Sequence, residues 1–288
     1  MGVMKALWIL GVSLLWVSQL PAQDSRAQET SRVELNTLLM ESTFKIEGQG
    51  SIGTGFLLGR SSPNRPGQSR AVLVTAAHVL EDAQGEQVTL VMRRKRGPQD
   101  WERLPLPITI RNGATPRWTK HPDADVAVMY VAVPPTAVGQ LLPTTLLAED
   151  AVLAELEIHP GDELNCLGYP FGQESNPAGF AVLRSGKIAS YPLLPTKETK
   201  TFLLDFRVFN GNSGGPVYFV DANRVYGGRL HLGVEHHFLM GLVTSEIRIT
   251  QEIQELYGRR QEVYPLALAQ IVHASLIREA INLLPPPE

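Results

Sequence analysis

The chain is poor in cysteine. Cys166 is the only one in 288 residues, so no disulfide can form within the chain and a disulfide-stapled fold is excluded. Long apolar runs are scarce too. The longest, Ala6 to Leu20, is about 15 residues, short of the ~20 that a membrane-spanning helix needs. An excess of either charge is also missing. The 26 Lys and Arg against 29 Asp and Glu leave a formal net charge of -3, so nothing marks a nucleic-acid binder. The one basic run, "RRKRG" at 93–97, sits between two strand-like segments and reads as a solvated hairpin tip.

What is there begins with the N-terminus. A single Lys5 precedes the apolar stretch, the pattern of a signal peptide over residues 1–27, cleaved after Ala22 or after Ala27. Ser25-Arg26-Ala27 satisfies the small-x-small rule, whereas Leu20 sits poorly two places before Ala22. Either cut removes one net positive charge and takes the total from -3 to about -4. Left uncleaved, the segment would anchor the chain to a membrane. An exported protein without disulfides relies on its core alone, which suits a bacterial envelope setting, periplasmic or secreted. Cys166, inside the alternating run "ELNCLGYPFG", reads as a small buried hydrophobe.

From Thr43 onward, short alternating apolar runs are broken by Gly, Pro, Asn and Asp. They fall into two series, "TFKIEG" to "DVAVMYVAV" and "ELNCLGYP" to "HFLMGLVTSEI", joined by the Pro-interrupted "TAVGQLLPTTLLAED". The pattern predicts an all-β protein of two barrels or sandwiches, at about 43–135 and 150–255 within a domain at 28–260. The tail at 261–288 differs. Leu268, Val272 and Leu276, continued by Ile277, Ile281 and Leu284, predict an amphipathic helix ended by Pro285 to Pro287. His273 within it is expected to be a surface or satisfied histidine. The paired His236 and His237, with His231 nearby, alternate across an extended hairpin and make poor metal geometry; no metal or cofactor is expected.

The chemistry-bearing stretch is "FNGNSGGPV" at 209–217. An alcohol is a weak nucleophile near neutral pH and needs a base and donors for the developing oxyanion. Gly211, Gly214 and Gly215 around Ser213 bare the backbone, so the N–H groups of Gly211 and Ser213 can point into one cavity. Two partners stand upstream. His78 follows the apolar strand in "LVTAAHVL", and Asp125 directly precedes another in "HPDADVAVMYV".

In the order His78, Asp125, Ser213, the motifs "TAAHV", "DADVAV" and "GNSGGPV" resemble those of the chymotrypsin-like, trypsin-fold serine proteases over roughly 43–255. The resemblance implies two six-stranded antiparallel β-barrels, a polypeptide substrate and an endopeptidase acting through an acyl-enzyme. It makes Ser213 the nucleophile, His78 the base, Asp125 the group that orients the imidazole, and Gly211 and Ser213 the oxyanion hole. Asp123 is the rival acid; the family's acid immediately precedes the apolar strand, which favours Asp125 and leaves Asp123 and His121 as surface. The resemblance also implies a specificity pocket at Arg207, six residues before the nucleophile, and along Thr244, Ser245 and Glu246. Arg207 would meet an acidic side chain, pair with Glu246 or point outward.

Two departures stand out. Trypsin carries an aspartate where this chain has Asn212, so activation by clipping is not expected and the chain is nearer in style to HtrA-type proteases. Those usually carry a PDZ domain after the protease, and here a helix stands instead. Two other readings remain: a latent or inactive protease fold that binds or senses, and a serine esterase. "GNSGG" also fits the nucleophile elbow of α/β-hydrolases, but "GGPVYFV" after Ser213 is a strand where that motif needs a helix. Oligomeric state is not written in the sequence.

Overall fold

The computed structural model describes residues 35–65, 67–98, 100–134, 136–137, 141–255 and 258–287. The leader expected at 1–27 lies outside the described residues. A short helix α1 (Leu35–Ser42) leads in, with Leu35 and Leu39 one turn apart and buried. The first half follows as β1 (Thr43–Gln49), β2 (Ser51–Ser61), β3 (Ser69–Thr75), helix α2 (Ala77–Glu81), β4 (Gln84–Lys95), β5 (Trp101–Thr109), the two-residue strands β6 (Arg111–Asn112), β7 (Thr115–Pro116) and β8 (Thr119–Lys120), then β9 (Ala127–Tyr130) and β10 (Leu142–Pro143). Helix α3 (Asp150–Glu155) leads into β11 (Glu163–Gly168), β12 (Val182–Ile188), β13 (Thr201–Asp205), β14 (Pro216–Tyr226), β15 (Arg229–Glu255), β16 (Gly258–His273) and helix α4 (Ala274–Leu283).

The all-β expectation holds, but the pair of closed six-stranded barrels does not. The first half is an open sheet in the order β5-β4-β1-β2-β3-β9-β8, with β10 parallel to β2 and β6 paired only with β7. The outermost strands explain the opening. β5 carries Pro105 and Pro107 opposite Val91 and Thr89, and proline has no N–H to offer a further neighbour. At the other edge β8 is two residues long. Only the second half closes, in the order β11-β12-β13-β16-β15-β14.

The tail is the second correction. The helix expected from Leu268 starts at Ala274, and residues up to His273 form β16, which pairs with β13 and β15 and completes the ring. A four-residue spacing such as Leu268 to Val272 is even, so it also fits the period of a strand. Ala269 and Ile271 are buried inside the ring. Helix α4 then returns to the first half, where Leu276, Ile277, Ala280 and Ile281 join the core of β1, β2 and β3. The last strand of the ring, β16, and helix α4 together run from Gly258 to Leu283. Among the described residues no helix is long and apolar enough to cross a membrane.

The basic run is the third correction. Arg93 is fully buried, not solvated at a hairpin tip. Its guanidinium lies between the rings of Phe44 and Phe180, 4.6 and 4.3 Å from their centroids. It donates to the carbonyls of Met40, Glu41, Thr43 and Gly179. Burial lowers its pKa from the ordinary arginine value, and the four carbonyls and two ring faces replace water around the charge. His273 is also corrected. It is buried at 1% exposure, neither ring nitrogen has a hydrogen-bond partner among the described residues, and the ring packs 4.7 Å from Phe202. Cys166 is buried, and desolvation pushes its thiol up to about 12.

Candidate active site

Three structural pieces converge on a cavity of about 500 Å³ lined by His78, Val208, Phe209, Asn210, Ser213, Thr244, Ser245, Glu246 and Arg248. His78 comes from the first half. The strand β3 ends at buried Thr75, and through buried Ala76 the chain turns into α2, which opens with buried Ala77 and carries His78 in its first turn. Asp125 reaches the same histidine from the loop between β8 and β9. Its Oδ2 lies 2.7 Å from His78 Nδ1, and its Oδ1 accepts the His78 backbone N–H at 3.0 Å. Both side chains are about one-third exposed (37% and 34%).

The two groups shift each other. The hydrogen bond to Asp125 raises the His78 pKa above the ordinary imidazole value, against the opposing effect of burial. Burial works against the Asp125 charge, but the bonds from the His78 ring and from the backbone of His78 and Ala77 outweigh it, and the carboxyl stays below its usual range. A carboxylate on Nδ1 keeps the proton on that nitrogen and turns Nε2 into the acceptor. Asp123, the rival acid, is 62% exposed and pairs with Lys200 at 3.1 Å. His121, expected at the surface, is instead buried at 3%; its ring bonds to Glu279 and to the backbone of Asp123.

Ser213 sits in the turn before β14, fixed from both halves of the molecule. Its carbonyl accepts the Thr54 N–H at 2.8 Å, and the Gly214 N–H donates to Val243 at 2.7 Å. Thr54 Oγ1 donates to the Gly211 carbonyl at 2.6 Å, and Thr75 Oγ1 to the Thr54 carbonyl at 2.7 Å. These buried threonines were not singled out in the sequence, where nothing separates them from ordinary strand residues. Gly211 has a φ of +95°, and a Cβ there would lie 2.1 Å from the Tyr169 carbonyl oxygen. Gly214 has a φ of +85° and the same tight fit against Thr54 O. Both positions require glycine. Among the described residues, neither the Gly211 nor the Ser213 N–H donates to a protein acceptor. The Ser213 hydroxyl donates to the Thr244 carbonyl at 2.9 Å, and no hydrogen bond joins it to His78.

The expected specificity residues divide. Thr244, Ser245 and Glu246 line the cavity, whereas Arg207 does not. Arg207 is 56% exposed, stands 4.0 Å from Glu246 and stacks on Phe209. The Glu246 side chain is buried to 5%, with Arg248 3.5 Å from its Oε2; Glu246 Oε1 has no hydrogen-bond partner among the described residues. Arg248, absent from the sequence reading, lies two residues beyond Glu246 on the same strand, the spacing at which strand side chains share a face, and both line the cavity. No group of three His, Cys, Asp or Glu side chains is arranged to hold a metal ion among the described residues.

Searching curated proteins finds no match. Among solved structures, the chain resembles Rv3671c from M. tuberculosis H37Rv in its inactive form, at 17% identity over 86% of this chain and 87% of that one, with a TM-score of 0.42. It resembles the thermostable serine protease AL20 from an extremophilic microorganism at 12% identity over 84% and 96%, TM-score 0.45. The protease Anisep from Arthrobacter nicotinovorans matches at 13% identity over 84% and 94%, TM-score 0.45. The family model described as the trypsin-like peptidase domain matches residues 53–227, a span that takes in His78, Asp125 and Ser213 and more than half of the chain, which therefore belongs to the trypsin-like peptidase family.

Proposed function

We propose that the protein is an exported serine endopeptidase in which Ser213, His78 and Asp125 cleave peptide bonds. Neutral His78 Nε2 takes the Ser213 hydroxyl proton as Oγ attacks the substrate carbonyl. The carbonyl oxygen gains the negative charge and is stabilised by the N–H groups of Gly211 and Ser213. His78, now protonated, gives its proton to the leaving amine, and an acyl ester on Ser213 remains. Water attacks that ester by the same route in reverse order and releases the acid. Asp125 holds the imidazole tautomer and stabilises its cation without taking the proton. The single observation behind this reading is the cavity that holds Ser213 together with an Asp125-oriented His78.

A second reading, a latent enzyme, is favoured by one specific feature. The Ser213 proton is engaged with Thr244 and not with His78. Labelling by a fluorophosphonate probe tests both. An active site gives labelling of the wild-type protein that disappears in Ser213→Ala and His78→Ala. A folded wild-type protein that stays unlabelled refutes the constitutive enzyme and supports the latent one. Hydrolysis of an unfolded protein substrate, compared with a simple ester, then separates endopeptidase from esterase. The exported location rests on the N-terminal sequence, and N-terminal sequencing of the protein recovered outside the cytoplasm tests it.

A further inference from the structure

His121 lies at the start of the loop that carries Asp125, and its side chain is 4% exposed. Its Nδ1 accepts the backbone N–H of Asp123 at 3.1 Å. A nitrogen that accepts from an N–H cannot itself carry a proton, so the ring proton sits on Nε2. From there it donates to Glu279 Oε2, 3.0 Å away. Both nitrogens of a buried imidazole are thus satisfied, one by the loop and one by helix α4.

The backbone of the same residue closes the loop. The His121 N–H donates to the Val126 carbonyl, and the Val126 N–H to the Ala124 carbonyl, each at 2.9 Å. The two residues flanking Asp125 are therefore pinned by a chain of bonds that ends on His121. Helix α4 holds this loop by a second route. The Asp123 carboxylate pairs with Lys200, and the Lys200 carbonyl accepts the N–H of His273, the residue before α4, at 3.2 Å. The helix itself is immobilised by five buried apolar side chains in the first core, Ala274, Leu276, Ile277, Ala280 and Ile281. The charged groups facing the imidazole are Glu279 on α4 and Asp123 on its own loop, with Lys200 beyond Asp123.

We propose that His121 is a positioning residue: through Glu279 it fastens the acid loop to helix α4 and so sets the Asp125 carboxylate against His78. The proposal rests on the reading of Asp125 as the group that orients His78. Asp125 meets His78 with both oxygens at once, a two-point fit that a shift of the loop would break at one point or the other.

The test uses the full-chain protein and three substitutions. His121→Asn keeps an acceptor near the Nδ1 position for Asp123 but cannot reach Glu279. His121→Gln keeps a donor near the Nε2 position for Glu279 but offers no acceptor to Asp123. Glu279→Ala removes the helix end of the link from an exposed position and leaves the core untouched. ¹⁵N and low-field ¹H NMR read the His78 ring directly, and fluorophosphonate labelling reads Ser213. Each variant is expected to lower the His78 titration midpoint, weaken its low-field Nδ1–H signal and slow labelling by roughly ten- to hundredfold, with substrate KM little changed. Glu279→Gln, which still accepts from Nε2, should restore most of the His78 signal. Unchanged His78 titration and labelling in folded Glu279→Ala and His121→Asn would overturn the proposal. The NMR signature is independent of reaction. A wild type that fails to label therefore counts against the endopeptidase reading alone, while the His78 resonances still decide the role of His121. Should His121→Asn not fold, Glu279→Ala carries the test by itself.

Discussion

His78 Nδ1 and Asp125 Oδ2 stand 2.7 Å apart, and the second oxygen of the same carboxylate binds the His78 backbone N–H. The pair has a consequence for pH dependence. Asp125 favours the charged imidazole, so the His78 pKa lies above its ordinary value of 6.5. In the proposed mechanism the Ser213 proton passes to neutral His78. Reactivity with a fluorophosphonate should therefore rise with pH through a midpoint above 6.5. Replacing the acid, Asp125→Asn, should move that midpoint down and cut the plateau rate by about 10⁴-fold, because the tautomer is no longer fixed. The contribution of the pair to folding has the opposite sense for His78: it is complete below the unfolded imidazole pKa and fades as pH rises through the folded one. Labelling rates across pH 5 to 9, on the order of ten points, check the midpoint.

In the proposed mechanism Gly211 donates to the oxyanion, and its position tolerates no side chain. A Cβ there would sit 2.1 Å from Tyr169 O, and a φ of +95° strains any L-residue by about 1–2 kcal/mol. Gly211→Ala must displace the turn and carry the 211 N–H away from the cavity. Labelling should fall by about 10²–10³-fold, the usual effect of losing one oxyanion donor, while the His78 titration persists. Wild-type labelling rates in folded Gly211→Ala would remove Gly211 N–H from the mechanism.

The sequence made the motif residues legible because each stands where a period breaks. His78 comes just after an apolar strand, Asp125 just before one, and Ser213 lies between Gly211 and Gly214, whose positive φ no other residue adopts cheaply. What it could not display was partnership across the fold. His121 and Arg93 look like surface residues in "HPDAD" and "RRKRG", yet each is buried because its acceptors come from segments far away in the chain, Glu279 for one and Met40 to Thr43 and Gly179 for the other. The tail misled for a related reason. Leu268 and Val272 suit both a helix face and a strand face, and only the vacant place between β13 and β15 decides for the strand. The open first sheet was written in the Pro105 and Pro107 of "LPLPITIRN", whose effect depends on which strand becomes an edge.

Arg93 fastens the last turn of α1 and the first residue of β1 to the loop that ends at Phe180. Arg93→Met keeps much of the volume but takes the guanidinium donors from four carbonyls, of which Thr43 and Gly179 are left to share the single proton of the Tyr169 hydroxyl. Each unpaired group costs about 1–3 kcal/mol, so a total loss of at least about 3 kcal/mol is expected after relaxation. Arg93→Lys should rescue little, because one ammonium cannot reach the carbonyls on both sides at once. Urea unfolding, read as a lowered midpoint at constant slope, measures both. A midpoint unchanged in Arg93→Met would show that the buried charge costs as much as its bonds return.

His273 sets an acid limit on stability. Burial without a hydrogen-bond partner holds its pKa at about 4, below the ordinary 6.5, with Asp150 opposing the shift weakly. The unfolded chain takes up a proton below 6.5 that the folded chain refuses until about 4. Stability must therefore fall as pH drops through that window and stop falling, on account of this residue, below it. A depression of this size corresponds to about 3 kcal/mol across the window. His273→Phe keeps a ring against Phe202, and the backbone bond from residue 273 to the Lys200 carbonyl does not involve the side chain. It should abolish most of this acid-dependent loss while leaving stability above pH 7 within about 1.5 kcal/mol of the wild type. Urea midpoints at pH 7.5 and 4.5, compared between the two proteins, check it: equal losses in both would mean that acid sensitivity comes from the carboxylates, above all from Asp125, whose depressed pKa costs stability as pH falls through its own folded value.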